Sequence, residues 1–390
     1  MTLPATNRIT ILLLVSSEGY FGVENMLVNL AVALGKFECR CIVGVFRDSR
    51  FGHTEVADRA RELGLTVELV PCAGRFDPRA AIRVREIMRT YQVNVVHTHG
   101  YKADLYARTA ALWSPVHLVA TCHNWLGRSW NMRAYAAMDR MALKRFDRIV
   151  VVSEVVAETL RRSGIPADKL QTIANGVEVD RFQGAHPTLL NEIAPTGTPL
   201  IGFVGRLVSD KGGESLLRAA QSVLRSGRLA KFVFVGEGPA RQEWEALAST
   251  LGVSDQVVFT GARSDMPEIY ASFHLLTLPS LCEAMPMCLL EAMAAGKAVI
   301  ATNVGAVPKV VEPDSTGLLI EPGDVRGLSA AITRLLDAPK LAHWMGENGR
   351  RRIVEHFSSD AMASQYLDVY RKVAGVRQLP DPKLSLSPTA

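Results

Sequence analysis

The chain has 390 residues, 48% of them hydrophobic and 21% charged, with a formal net charge of +5. This is the composition of a soluble globular protein long enough for two domains. Its longest apolar runs, such as Ile9–Val15, are strand-length and fall far short of the about 20 residues that a membrane span requires. At the amino terminus, Arg8 and a short apolar run give way to Ser-Ser-Glu-Gly, too short and too soon polar for a secretory signal. Six cysteines are scattered without framework spacing, and Cys39 and Cys41 fall on one face of a strand, unlike a zinc knuckle. A reduced, cytoplasmic protein is expected. No His/Cys/Asp cluster has metal-ligand spacing and no Asp-x-Asp occurs, so no metal or other cofactor is expected.

In chain order, Ile9–Val15 reads as a parallel strand covered on both faces. Gly19-Tyr-Phe-Gly22-Val-Glu24 then opens a helix through about Leu34. Strand-like runs follow at Arg40–Phe46, Thr66–Val70, Val93–His97, His117–Thr121 and Arg148–Val152, with helical segments between them. This alternation predicts a doubly wound parallel sheet. Ligands of such sheets sit beyond the carboxyl ends of strands. Gly22 and Glu24, His97 to Gly100, His123 with Asn124, and Ser153 with Glu154 all fall there. Gly22 lets backbone approach a ligand closely. Each histidine is either a strand-end residue satisfied by backbone or a ligand group, and the occurrence of two such sites on neighbouring strand ends favours the second. Cys122 and His123 do not form a nucleophile pair, because adjacent strand residues point oppositely.

From Arg75 to Arg148 there are thirteen basic residues and five acids, a net +8 that exceeds the charge of the whole chain. Arg75, Arg79 and Arg83 recur at helical spacing, as do Arg140, Lys144 and Arg148. One reading is a solvated face; the other is peripheral contact with an anionic inner membrane, or with a phosphorylated acceptor, through segment 75–148. Nucleic acid is not expected, since no reader motif accompanies the charge.

Ile173–Val177 reads as a strand ending in an Asn-Gly turn, and the Pro/Gly-punctuated stretch from Gly184 to Pro199 as a linker. The alternation restarts at Leu200–Val204, followed by Gly205-Arg206 and Lys211-Gly212-Gly213. A loop carrying an Arg and a Lys suits a diphosphate: Arg can bind two oxygens at once, and Lys supplies a compact charge. The P-loop order is absent. Gly236-Glu-Gly238 supplies only two glycines of a dinucleotide fingerprint and reads as a turn. Further strands are expected at Lys231–Val235, Val257–Thr260, Leu275–Leu278, Ala298–Thr302 and Gly317–Ile320, and helices from there to about Ala374.

The stretch Pro279–Gly296 runs P-S-L-C-E-A-M-P-M-C-L-L-E-A-M-A-A-G. It predicts a turn after Leu275–Leu278, then a helix with Pro286 at its first position and a stop near Gly296. The N–H groups of Met287, Cys288 and Leu289 would lie free at the positive helix end, a ready anion site. Glu283 and Glu291 frame it. Glu291, in an otherwise apolar helix, requires a polar partner if ionised and buried. A capping Glu283 with a surface Glu291 is the alternative.

These motifs together resemble the family 4 glycosyltransferases of GT-B fold, a retaining class that uses nucleotide sugars. The resemblance rests on Glu283-x7-Glu291 in its context, on Gly205-Arg206 with Lys211-Gly212, on Asn175-Gly176-Val177 with Asp180-Arg181-Phe182, and on Gly22-Val23-Glu24. Phe21 stands where the family usually has a first glycine, and Lys309 where Gly305-Ala306-Val307-Pro308 is usually followed by Glu. The resemblance implies an α/β chain with two Rossmann-like doubly wound domains facing across a cleft. An acceptor-binding domain would span 1–185, a linker 186–198 and a nucleotide-sugar domain 199–358. A returning helix would occupy 359–375, and a disordered tail 376–390. It implies that Arg206 and Lys211 bind the donor diphosphate and stabilise the leaving group. Glu291 would hold the ribose hydroxyls and Glu283 the transferred sugar, with Met287, Cys288 and Leu289 supplying backbone donors. His123 would face the donor sugar, Gly22 would admit the diphosphate, and His99 would lie on the acceptor side. The donor would be a UDP- or GDP-sugar and the acceptor a glycan, a lipid-linked molecule or a small molecule, with no metal required. A nucleotide-sugar epimerase and a non-catalytic sugar-binding protein are the competing readings.

Overall fold

The apolar run near the amino terminus forms β1, Thr10–Val15, with all six residues buried. The computed structural model describes residues 8–17, 19–37, 39–48, 53–74, 77–123, 130–194 and 197–375. After β1 come β2 (Arg40–Asp48), β3 (Thr66–Cys72), β4 (Val95–His99), β5 (His117–Cys122), β6 (Arg148–Val151) and β7 (Leu170–Thr172). They form one parallel sheet in the order β3-β2-β1-β4-β5-β6-β7. A second parallel sheet holds β8 (Leu200–Val204), β9 (Lys231–Val235), β10 (Val257–Gly261), β11 (Leu275–Leu278), β12 (Ala298–Thr302) and β13 (Gly317–Ile320), in the order β10-β9-β8-β11-β12-β13. Both follow the doubly wound pattern that the alternating sequence predicts. Each reverses its strand order between its first and fourth strands, where ligands of such sheets bind.

Two compact units result. The first comprises Met1–Val151, Thr159–Ile173 and Ala363–Ala390; the second comprises Val152–Glu158 and Ala174–Met362. The second unit's core is a sheet-and-helix cluster around Phe203, Phe232, Phe234 and Trp244, all almost fully buried. Phe203 and Phe234 lie 5.7 and 5.9 Å from the Trp244 ring, centroid to centroid.

Several boundaries differ from the sequence reading. The second unit takes up the chain from Ala174, so the stretch read as a linker lies within it. In that stretch, helix Thr188–Ile193 buries Leu189, whose N–H donates to Ser272 Oγ at 3.1 Å. Ile173–Val177 is no strand: β7 ends at Thr172, and Val177 instead bridges to Ser358. Strand β4 starts two residues later than expected and runs through His99, which places His97, Thr98 and His99 inside the sheet. Asn94 stays outside it and accepts the Thr10 N–H on its side-chain oxygen.

The final helix, Ser359–Ala374, gives its residues from Ala363 onward to the first unit. Tyr370 hydroxyl meets His97 Nδ1 at 2.7 Å, and Tyr366 hydroxyl meets Thr121 Oγ1 at 2.9 Å. His97 Nε2 lies 2.7 Å from the same Thr121 oxygen. All four side chains are buried, so every polar atom of this chain of contacts is satisfied by another member. The expected tail, 376–390, lies outside the described residues.

Candidate active site

Two loops leave β8 and β11, the neighbours at which the second sheet reverses its order. The first carries Arg206 and Lys211; the second carries Glu283 and leads into helix Met287–Ala294. Close backbone approach joins them. Leu281 N–H donates to Asp210 O at 2.8 Å, and a β-carbon on Gly212 would stand 1.9 Å from Pro279 O. Gly212 also has φ of +73°, so both its position and its conformation require glycine. A third loop, after β12, presses on the same point. Ala306 N–H donates to Ala284 O at 3.0 Å, and a β-carbon on Gly305, at φ +56°, would lie 1.7 Å from Glu283 O.

This architecture brings Lys211 Nζ to 2.6 Å from Glu283 Oε1, which also accepts from Ser280 Oγ at 2.7 Å. The carboxylate side chain is only 6% exposed. Burial, the largest single influence, pulls the Lys211 ammonium down, but the charge and hydrogen bond of Glu283 together with Cys288 and Cys282 nearby outweigh it, and the net shift is upward. Lys211 is therefore a fixed cation at neutral pH. Arg206 is exposed and makes no ion pair among the described residues, leaving its fork open.

Pro286 is the residue before the helix, with extended backbone (ψ 123°), and not its first helical position. The expected donors keep their places. Met287, Cys288 and Leu289 form the first turn, whose N–H groups have no partner within the helix. That of Leu289 lies against the Cys288 thiol, which burial pushes up to about 12. Glu291 is buried at 7% exposure and accepts from the Tyr270 hydroxyl at 2.7 Å. Tyr270 is the polar partner that the sequence demanded without identifying. Its ring is fixed by Phe273 and Phe182, at 6.1 and 5.8 Å. Asn175, marked by the sequence only as part of a motif, is a second support. It is buried, and its side-chain N–H donates to Met285 O at 3.1 Å, inside the glutamate loop.

In the first unit, Val15 pairs with His99, so β1 and β4 end level at that sheet's reversal point. Gly22 opens helix Gly22–Gly35 after β1 and is exposed. Glu24 is buried and accepts the Phe21 N–H at 3.0 Å. It serves as a helix cap, a role that the strand-end reading did not foresee. His99 and His123, assigned separately by sequence, lie together: His99 Nδ1 is 3.0 Å from His123 Nε2, with stacked rings. His99 is 2% exposed, and His123 is the more accessible of the two. Burial lowers His123 to about 4 and His99 well below its usual range, so both rings are neutral at physiological pH. One ring of a neutral pair donates and the other accepts, and this fixes the His123 orientation. His97 packs its ring 4.3 Å from that of His99, centroid to centroid, and is held by the buried contacts with the last helix. Asn124 lies outside the described residues.

The profile described as glycosyl transferases group 1 matches residues 191–352, and that of glycosyltransferase family 4 matches residues 21–181. An MMP α-(1→4)-mannosyltransferase of Mycolicibacterium hassiacum is 32% identical over 323 residues, 77% of this chain and 76% of that protein. An α-D-kanosaminyltransferase of Streptomyces kanamyceticus is 29% identical over 243 residues. That match takes in 60% of this chain and spans 63% of the relative's length. A protein of Anabaena, solved with UDP and glucose, superposes with a TM-score of 0.83 over 94% of this chain and 100% of its own, at 19% identity.

Proposed function

The chain belongs to glycosyltransferase family 4, with group 1 glycosyl transferases matched over its second half, and from this premise we propose that it transfers a hexose from a nucleotide-diphosphate sugar to an acceptor, with retention at the anomeric carbon and without a metal. The observation that carries the reading is the Lys211–Glu283 contact of 2.6 Å beside the first turn of helix Met287–Ala294. One cation and one set of backbone donors sit at the sheet's reversal point, with a buried carboxylate on either side. Departure of a nucleoside diphosphate builds negative charge on its outer phosphate. Lys211, the open guanidinium of Arg206 and the helix N–H groups are donors suited to that charge. Glu291, held by Tyr270, is suited to vicinal ribose hydroxyls, and Glu283 to hydroxyls of the transferred sugar. In the first unit, His123, oriented by His99, is suited to a polar group of the donor sugar. His99 acts through His123, since it is itself buried.

Relatives whose names specify mannose or kanosamine transfer, and a fold neighbour solved with UDP and glucose, support a nucleotide sugar as donor. They leave UDP- and GDP-sugars, and glycan, lipid-linked and small-molecule acceptors, as the alternatives to screen. The test is a panel of UDP- and GDP-sugars, read by release of the nucleoside diphosphate with and without acceptor, in the presence and absence of EDTA. Turnover that survives EDTA and falls about 10²–10³-fold in Lys211→Ala is expected, the loss typical of one transition-state charge donor. Acceptor-independent epimer formation, or wild-type turnover in Lys211→Ala, would overturn the reading. Abolition by EDTA would overturn its metal-free part.

A further inference from the structure

The basic segment of the first unit folds into three helices, Pro78–Thr90, Tyr101–Ala110 and Trp130–Leu143, each packed against the next. The charge stripes expected from spacing alone are only partly open. Arg83 is tied to Glu68 and Glu86, at 2.6 and 3.3 Å, and Arg148 donates to the Asp168 carbonyl. Arg75 lies outside the described residues. The cations without an ion pair among the described residues include Arg79 and Lys144 of those stripes, together with Arg85, Arg89, Arg108 and Arg145. Their acidic neighbours offset them only in part: Glu86 is already paired, Asp104 and Asp139 are buried at 2% and 1% exposure, Asp77 caps its own helix, and Asp147 lies against His117.

Between these cations stand large apolar side chains with no cover. Trp113 is 64% exposed and Met141 74%, and Ile82, Leu112 and Met138 are also exposed. The Arg85 guanidinium lies 6.0 Å over the Trp113 ring, which binds the charged and apolar parts of the face to one another. Five such residues, on helices Pro78–Thr90 and Trp130–Leu143 and on the turn Ala111–Trp113, all three elements packed against helix Tyr101–Ala110, exceed the singly scattered apolar residues of an ordinary surface. Nucleic acid would match the arginines and leave Met141, Leu112 and Ile82 in water. A bilayer interface matches both components: anionic headgroups for the cations, and the acyl boundary for Trp, Leu and Met. No helix among the described residues is long and apolar enough to cross a membrane, so contact here is peripheral.

We propose that this face docks on an anionic lipid bilayer, with Trp113, Leu112 and Met141 inserted below the headgroups and Arg89, Arg108 and Arg145 held at them. The proposal stands apart from the sugar chemistry, because lipid binding is read without any donor.

The experiment is sedimentation of the full chain with vesicles of phosphatidylcholine alone and of phosphatidylcholine mixed with phosphatidylglycerol. Two double variants accompany it, each first checked for an unchanged melting temperature. Binding to the anionic vesicles only is expected. Trp113→Ser with Met141→Ser leaves the charge unchanged and should weaken binding about tenfold or more. Arg89→Gln with Arg145→Gln should weaken it about thirty-fold. Absence of binding by the native chain, equal binding to both vesicle types, or indifference to the Trp113/Met141 substitutions would each overturn the proposal.

Discussion

Glu291 is a carboxylate in an apolar helix, and Tyr270 makes that tolerable. A hydrogen bond to an ionised group contributes about 1.5–3 kcal/mol, and losing it leaves the charge less well satisfied. Tyr270→Phe removes the 2.7 Å contact while keeping the ring between Phe182 and Phe273. If Glu291 holds ribose hydroxyls, the variant should raise the donor KM about tenfold or more and leave kcat nearly unchanged. A donor lacking the ribose 2′-hydroxyl separates this role from a merely structural one. With that donor the difference between native enzyme and variant should shrink; an equal penalty with both donors would remove Glu291 from the ribose. Glu283 calls for a different probe. Its carboxylate holds both Lys211 and Ser280, so Glu283→Gln tests charge while keeping a hydrogen-bonding group in place. Loss of rate at unchanged melting temperature is expected, measured as donor turnover beside a thermal melt.

Loops, more than helices or strands, set the geometry of the site. Sequence periodicity identified the strands around them because β1, β8, β11 and β12 are almost wholly buried and read as unbroken apolar runs. Arg206, Lys211 and Glu283 stood out as candidates because they lie in loops at strand ends of a doubly wound sheet, and Glu291 because it interrupts an otherwise apolar helix. Periodicity did not reveal Asn175 or Tyr270, whose partners lie 110 and 21 residues away in sequence. Asn-Gly read as a turn because that is its usual local meaning, and here a long-range contact to Met285 overrides it. Pro286 shifted by one position for a similar reason: a proline suits either side of a helix start, and only backbone angles decide. Gly305 is the sharpest case. It entered the sequence reading only as part of a motif, yet any β-carbon there would collide with the Glu283 carbonyl at 1.7 Å. Gly305→Ala must therefore move the glutamate loop or strain a positive φ, at about 1–3 kcal/mol. We expect a lower melting temperature together with a donor KM raised about tenfold; a native KM would mean that the loop does not position Glu283.

At the scale of the molecule, the division at Ile173/Ala174 and the return of Ala363–Ala374 to the first unit depend on contacts between distant segments, which no local pattern encodes. The return is fastened by a buried histidine. His97 is fully enclosed between Tyr370 and Thr121, and burial lowers its pKa to about 3. His99 and His123, nearby in the same unit, are lowered as well, the latter to about 4. An unfolded histidine titrates near 6.5. Between those values the unfolded chain binds more protons than the folded one, so stability is complete above about pH 6.5 and falls as pH drops. Each such histidine removes up to about 1.4 kcal/mol per pH unit in that window. Asp104 acts in the opposite sense. Burial and the neighbouring Asp139 raise its carboxyl, and its favourable contribution is lost as pH rises. The histidines outnumber it, so the melting temperature should fall between about pH 6.5 and pH 4.5. His97→Gln retains groups able to meet both Tyr370 and Thr121 but cannot titrate. Its melting profile should be flatter over the same window, by up to about 1.4 kcal/mol per pH unit. Parallel profiles for the variant and the native chain would mean that His97 is not what makes the first unit acid-sensitive, and that its enclosure by the last helix carries no proton-linked stability.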